Sequence, residues 1–169
     1  MHESPDEIAA LQELLDRSYE RAGPHLRSII TPERRLSAEQ VVAYLQGTKH
    51  VAMATATADG RPRVGPVDAV FLHARFTCGT AASSMRVRHL RRNPAVSVTH
   101  MVGDEVAITV HGTARLLEPG TEEAVAVAAD WAEVYGSDPY SWGESVVMMT
   151  VEPETMITYA PKPGDFPAG

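Results

Sequence analysis

From Val51 onward the chain changes to a period of two, with Val51, Met53, Thr55 and Thr57 on one side and Ala52, Ala54 and Ala56 on the other. Such a period belongs to a half-buried strand, because successive side chains of extended backbone point to opposite faces. Asp59-Gly60 then separates this run from a second one, Arg61 to Leu72, and that dipeptide is a strong hairpin signal. The second run holds Pro62 and Pro66, which have no N–H for a ladder. Its first half must therefore be an edge or be bulged, leaving open backbone for a ligand or a partner subunit. Arg61 and Arg63 flank that open stretch.

Further strands are predicted over Arg75 to Thr80, Ala95 to Met101 and Glu105 to Leu117, with Gly112 as a bulge or a point of close approach. A last strand runs from Ser145 to Val151, is interrupted at Pro153 and resumes from Thr155 to Tyr159. Helical spacing of Ile8, Leu11, Leu14 and Leu15 predicts a helix from Pro5 to about Arg21. Ser37 with Gln40 forms a capping box, so a second helix should run from Ala38 to Leu45 and stop at Gly47. Thr121 caps a third, which carries Ala124, Val127, Ala128, Trp131, Val134 and Tyr135 inward and ends at Gly136. Six short antiparallel strands with few helices point to a small barrel, since closure removes exposed edges. The chain divides into an N-terminal helix and connector (1–35), a barrel domain (36–160) and a Pro-rich flexible tail (161–169).

The segment Gly79 to Pro94 reads as a strand end, a hydroxyl-rich turn and a short basic helix. A helix N-terminus presents unpaired N–H groups, to which Thr80, Ser83 and Ser84 add hydroxyls and Arg86 a forked cation, which together describe an anion site. The alternative is a solvated Arg-rich helix capped by Ser84 and ended by Asn93-Pro94. No Asp or Glu occurs between Asp68 and Asp104, whereas Arg75, Arg86, Arg88, Arg91 and Arg92 do, in a chain of formal net charge −7. That overall charge argues against general nucleic-acid or anionic-membrane binding but leaves room for a small anion pocket. A lone Cys78 in strand-like surroundings suggests a buried hydrophobe, and a reducing cytoplasm is the expected compartment. His50, His73, His89, His100 and His111 lack metal-ligand spacing, and neither a P-loop nor a Gly-x-Ser-x-Gly element is present.

Three stretches resemble the FMN-binding split barrels of the pyridoxamine 5′-phosphate oxidase-like family. They are Val51 to Val67, Ser84 to Pro94 with its Ser-x-Arg opening and Asn-Pro end, and Gly112-Thr113-Ala114-Arg115. The resemblance implies a mainly β fold, a six-stranded antiparallel split β-barrel with N-terminal helices and one helix before the last strand. It implies a homodimer with FMN at the subunit interface, Arg61, Arg63 and Val64 lining the ring and ribityl chain, and Thr80, Ser84 and Arg86 holding the phosphate, with Arg88 beside them. The deazaflavin F420 is the alternative cofactor and haem a further one, with His89 or His111 as axial ligand. Pyridoxamine phosphate oxidation itself is disfavoured, because Thr155 to Ala160 lacks the basic Arg-x-His element of true oxidases. The expected function is FMN- or F420-dependent hydride transfer involving a small organic substrate; the alternative is a non-catalytic flavin- or haem-binding protein. Tyr140, Trp142 and Met148 are candidates to cover the ring, with core packing as their other role.

Overall fold

The computed structural model describes residues 2–142 and 145–167, so Met1 and the last two residues of the expected tail lie outside the described residues. The Asp59-Gly60 turn joins β1 (Lys49–Ala56) to β2 (Pro62–Leu72), with Ala54 opposite Val64 and His50 opposite Asp68. β3 (Arg75–Ala81), β4 (Ala95–Val102), β5 (Val106–Leu116) and β6 (Val146–Tyr159) complete a closed antiparallel barrel of order β1-β2-β3-β6-β5-β4. The expected mainly β architecture, six antiparallel strands with peripheral helices, is what forms.

Of the stretches in this barrel that pair on one side only, two set its openings. β2 meets β3 only from Ala69 to Leu72, so among the described residues Pro62–Asp68 pairs with β1 alone. This is the edge that Pro62 and Pro66 require. β3 moves on to β6 over Thr77–Ala81, and the far half of β6, Thr155–Tyr159, pairs with β5 alone. There α1 (Pro5–Arg21) substitutes for a strand. Ser18 Oγ accepts from Met156 N at 3.0 Å, and Tyr19 Oη accepts from Thr158 N at 2.8 Å while donating to Thr158 O at 2.7 Å. Leu11, Leu14 and Leu15 are buried in the same core as Val51, Phe76 and Ile108. The N-terminal segment thus shares the barrel's core.

The connector expected over His25 to Arg35 contains a short helix, α2 (Pro24–Ile29), that buries no side chain. α3 (Ala38–Tyr44) begins at the predicted box, with Ser37 Oγ accepting from Gln40 N at 3.2 Å and Gln40 Oε1 from Ser37 N at 3.0 Å. The interruption expected at Pro153 does not occur: β6 is continuous, because Glu154 bulges out of its ladder with β5, where Gly112 faces Pro153 and His111 faces Thr155. A Cβ on Gly112 would stand 2.0 Å from Glu152 O, so only glycine allows this approach. Residues 161–167 are not extended. Pro163–Asp165 forms a 3-10 turn, Gln40 Nε2 donates to Pro163 O at 2.7 Å, and Phe166 meets Tyr44 edge-on at 5.1 Å. α5 (Glu122–Tyr135) packs Ala124 and Trp131 into a second cluster with Val70, Leu72 and Met148 outside the barrel. No helix among the described residues is long and apolar enough to cross a membrane.

Candidate functional site

The split beside β2 is where the predicted anion residues meet. α4 (Met85–Arg92) starts at Ser84, whose Oγ accepts from Val87 N at 3.3 Å. Val87 and Leu90 are buried, and buried His89 places Nδ1 3.0 Å from Thr55 Oγ1 of β1. These contacts fix the helix so that Arg86 extends across the open half of β2. Its Nη2 donates to Gly65 O at 3.3 Å and to Pro66 O at 3.0 Å. A Cβ on residue 65 would lie 3.3 Å from that nitrogen, so glycine there gives the guanidinium room.

Arg86 is half-buried and, among the described residues, has no carboxylate at ion-pair distance. Burial pulls its pKa below the usual guanidinium value, yet a guanidinium stays charged at neutral pH. A half-buried cation satisfied only by two carbonyl oxygens retains donors and charge for an anion. Nearby Cys78 is fully buried, which pushes its thiol up to about 12 and excludes it as a nucleophile at neutral pH.

A pocket of about 410 Å³ opens between β2, β3 and α5, with Thr80 and Arg86 in its lining. Its opposite wall is aromatic: Trp131 and Tyr135 stack at 5.1 Å, and Tyr135 lies 5.4 Å from Trp142. Asp68 also lines it, accepting from Tyr135 Oη at 2.9 Å and lying 3.2 Å from His50 Nε2. The hydrogen bond to Asp68 raises the Tyr135 phenol above its ordinary value, since the proton is held between the two groups.

Thr80 and Arg86 therefore share one pocket. Ser84 caps the adjoining helix, Val64 and Arg63 stand exposed on the open half of β2, and Arg88 is exposed on α4. Arg61 lies at the hairpin tip, where its Nε pairs with Asp59 at 2.8 Å. Met148 is fully buried core, whereas Trp142, 40% exposed, lines the pocket. Sequence reasoning did not place His50, Asp68 and Tyr135 together. The hairpin register, counted from Asp59-Gly60, does set His50 opposite Asp68, but Tyr135 arrives from a helix 67 residues away. No cluster of three or more metal-ligating side chains occurs among the described residues.

The profile of a family described as pyridoxamine 5′-phosphate oxidase matches residues 37–159. Among solved structures, a conserved hypothetical protein from Mycobacterium tuberculosis superposes with a TM-score of 0.62 at 17% identity, covering 80% of this chain and 92% of that one. The haem storage protein HutZ from Vibrio cholerae gives 0.62 at 22% identity, covering 75% and 94%. A protein described as an F420 reductase gives 0.51 at 18% identity, covering 77% and 94%. At these identities the likeness is one of fold. No curated protein matches the chain.

Proposed function

The chain belongs to the pyridoxamine 5′-phosphate oxidase family, and from that membership we propose that it is an oxidoreductase holding FMN, or alternatively F420, by its phosphate at Arg86. The observation that carries this reading is the half-buried Arg86 guanidinium, unpaired by any described carboxylate, beside backbone that no second strand covers. Thr80, the Ser84-capped start of α4 and Arg86 bind the phosphate. The open backbone around Val64 orients the rest of the cofactor, and Trp142 and Tyr135 exclude water. Arg61, Arg63 and Arg88, all exposed, supply charge for any further anionic groups of the cofactor. When bound, a flavin or deazaflavin supplies hydride transfer with a small organic substrate, and the chain supplies orientation and electrostatics. Oxidation of pyridoxamine phosphate is not part of the proposal, because Thr155–Tyr159 of β6 carries neither Arg nor His.

The proposal includes a homodimer with a cofactor at the subunit interface. Across the sheet, Pro66, Ala52, Thr99, Thr109 and Ile157 align in one row, and Val64, Ala54, Ser97, His111 and Thr155 in the next. Neither row carries Lys, Arg, Asp or Glu, while Val64 is 70% and nearby Met101 60% exposed. Such a face suits a second copy of itself.

One observation supports a haem-binding alternative. His111 is exposed with Nδ1 2.7 Å from Ser97 Oγ, which leaves Nε2 free, as in a metal-ligating imidazole oriented by a second partner. His89 is buried and already engaged with Thr55. Parallel titrations of the apoprotein with FMN, F420 and haem test the proposal. It requires tight binding of FMN or F420, weakened about tenfold to a hundredfold by Arg86→Ala through loss of a charge-assisted contact of about 1.5–3 kcal/mol. Haem binding alone, abolished by His111→Ala, contradicts it in favour of the alternative.

A further inference from the structure

The pocket beside Arg86 carries two opposite charges that do not neutralise each other. Arg86 gives its hydrogen bonds to Gly65 O and Pro66 O, and Asp68 takes its own from Tyr135 Oη with His50 Nε2 at 3.2 Å. No ion pair joins Asp68 to any described Arg or Lys, although Asp68 and Arg86 line the same 410 Å³ space. His50 and Tyr135 approach different oxygens of the carboxylate, Oδ1 and Oδ2, so its plane is fixed. A carboxylate has about four acceptor positions, and two remain for a ligand. Trp131, whose indole N–H is buried without a partner among the described residues, belongs to the same lining.

We propose that the Asp68 end of this pocket is the substrate subsite, and that it selects a planar organic molecule bearing an amine, amidine or ring N–H, not a carboxylate or phosphate. This rests on the proposed function in one respect: the cofactor phosphate takes the Arg86 end, so the substrate meets Asp68. Tyr135 and Trp142 offer faces against which a planar cation or heterocycle stacks. Asp68 gives that molecule its direction, because a second anion is repelled by a carboxylate that no described Arg or Lys neutralises. His50 and Tyr135 act as positioning residues that hold the carboxylate plane.

Benzamidinium and benzoate, equal in shape and opposite in charge, test this on the apoprotein, read by tryptophan fluorescence with Trp142 exposed in the pocket. Asp68→Asn should weaken benzamidinium about tenfold and leave benzoate unchanged or bound more tightly, while Arg86→Gln should do the reverse, about tenfold being the scale of one charge-assisted contact. Tyr135→Phe keeps the ring but releases the carboxylate from one of its two partners, so it should weaken benzamidinium by less than Asp68→Asn does and leave benzoate unchanged. Equal losses for both probes in either variant, or no loss in either, overturn the assignment. If neither FMN nor F420 binds but the crossed pattern holds, the cofactor reading fails and the two-ended pocket stands. If a cofactor binds and the crossed pattern is absent, the subsite alone is wrong.

Discussion

Arg86 and Gly112 are the residues whose surroundings leave least freedom for substitution. Arg86 gives both carbonyl bonds from one nitrogen, Nη2, and so keeps its Nε and Nη1 donors for a ligand, whereas Arg86→Lys keeps the charge but has no such further donors. Its cofactor affinity should fall between those of the unaltered protein and Arg86→Ala, as a binding titration would show. At Gly112 the constraint is steric, since Glu152 O lies 2.0 Å from where a Cβ would be. Gly112→Ala must separate β5 from β6 at the bulge, and a loss of about 1–3 kcal/mol or more is expected in urea unfolding. A loss under about 0.5 kcal/mol, the range of a neutral surface change, would mean that the bulge relaxes freely.

Among the elements, α1 bears most on the barrel's integrity, because it supplies acceptors to amides of β6 that β3 does not reach. Tyr19→Phe removes the acceptor of Thr158 N, and a buried N–H left unpaired costs about 1–3 kcal/mol. Chemical denaturation should show that loss, and amide exchange at Thr158 should accelerate with it. The start of α1 contributes a pH-dependent share. Burial alone would raise the Glu7 carboxyl, but the Ser4 hydrogen bonds and His73 at 3.0 Å carry it below its ordinary value. A depressed folded pKa means that the contribution is complete above the unfolded value of about 4.3 and is lost as pH falls through the folded one. Glu7→Gln keeps the capping box, as Gln40 does in α3, and removes only the charge, so it should cost about 0.3–1 kcal/mol near neutrality, the worth of a carboxylate at a helix N-terminus, and almost nothing in strong acid. A constant difference between the two conditions would mean that the Glu7 charge plays no part.

At the scale of the whole molecule, the uncharged sheet face makes the oligomeric state the first consequence. Ala54→Asp places a carboxylate in the row of Val64, Ser97 and His111. If the proposed dimer uses this face, the variant should sediment as a monomer and bind cofactor more weakly; a dimer that persists would assign the interface elsewhere. The fold was legible where the signal is local: the Asp59-Gly60 hairpin, the edge demanded by Pro62 and Pro66, and the Ser37 box. Continuity across Pro153 was not, because the bulge at Glu154 that absorbs it depends on the close approach of another strand at Gly112. The service of α1 to β6 joins residues 138 or more apart, which no local period reports. In the candidate site, Arg86 and Thr80 stand out in sequence by charge and by position at the strand end. Asp68 and Tyr135 acquire meaning only when α5 docks on β2.

The central claim is that Arg86 recognises a phosphate, and it is tested most directly by comparing each cofactor with its own chromophore lacking that group. FMN is paired with riboflavin and F420 with its deazariboflavin chromophore, in the unaltered protein and in Arg86→Ala. The account predicts that loss of the phosphate weakens binding about tenfold or more in the unaltered protein and that this difference largely disappears in the variant, as for one charge-assisted contact. An equal phosphate dependence in both proteins would place the phosphate elsewhere and contradict the account.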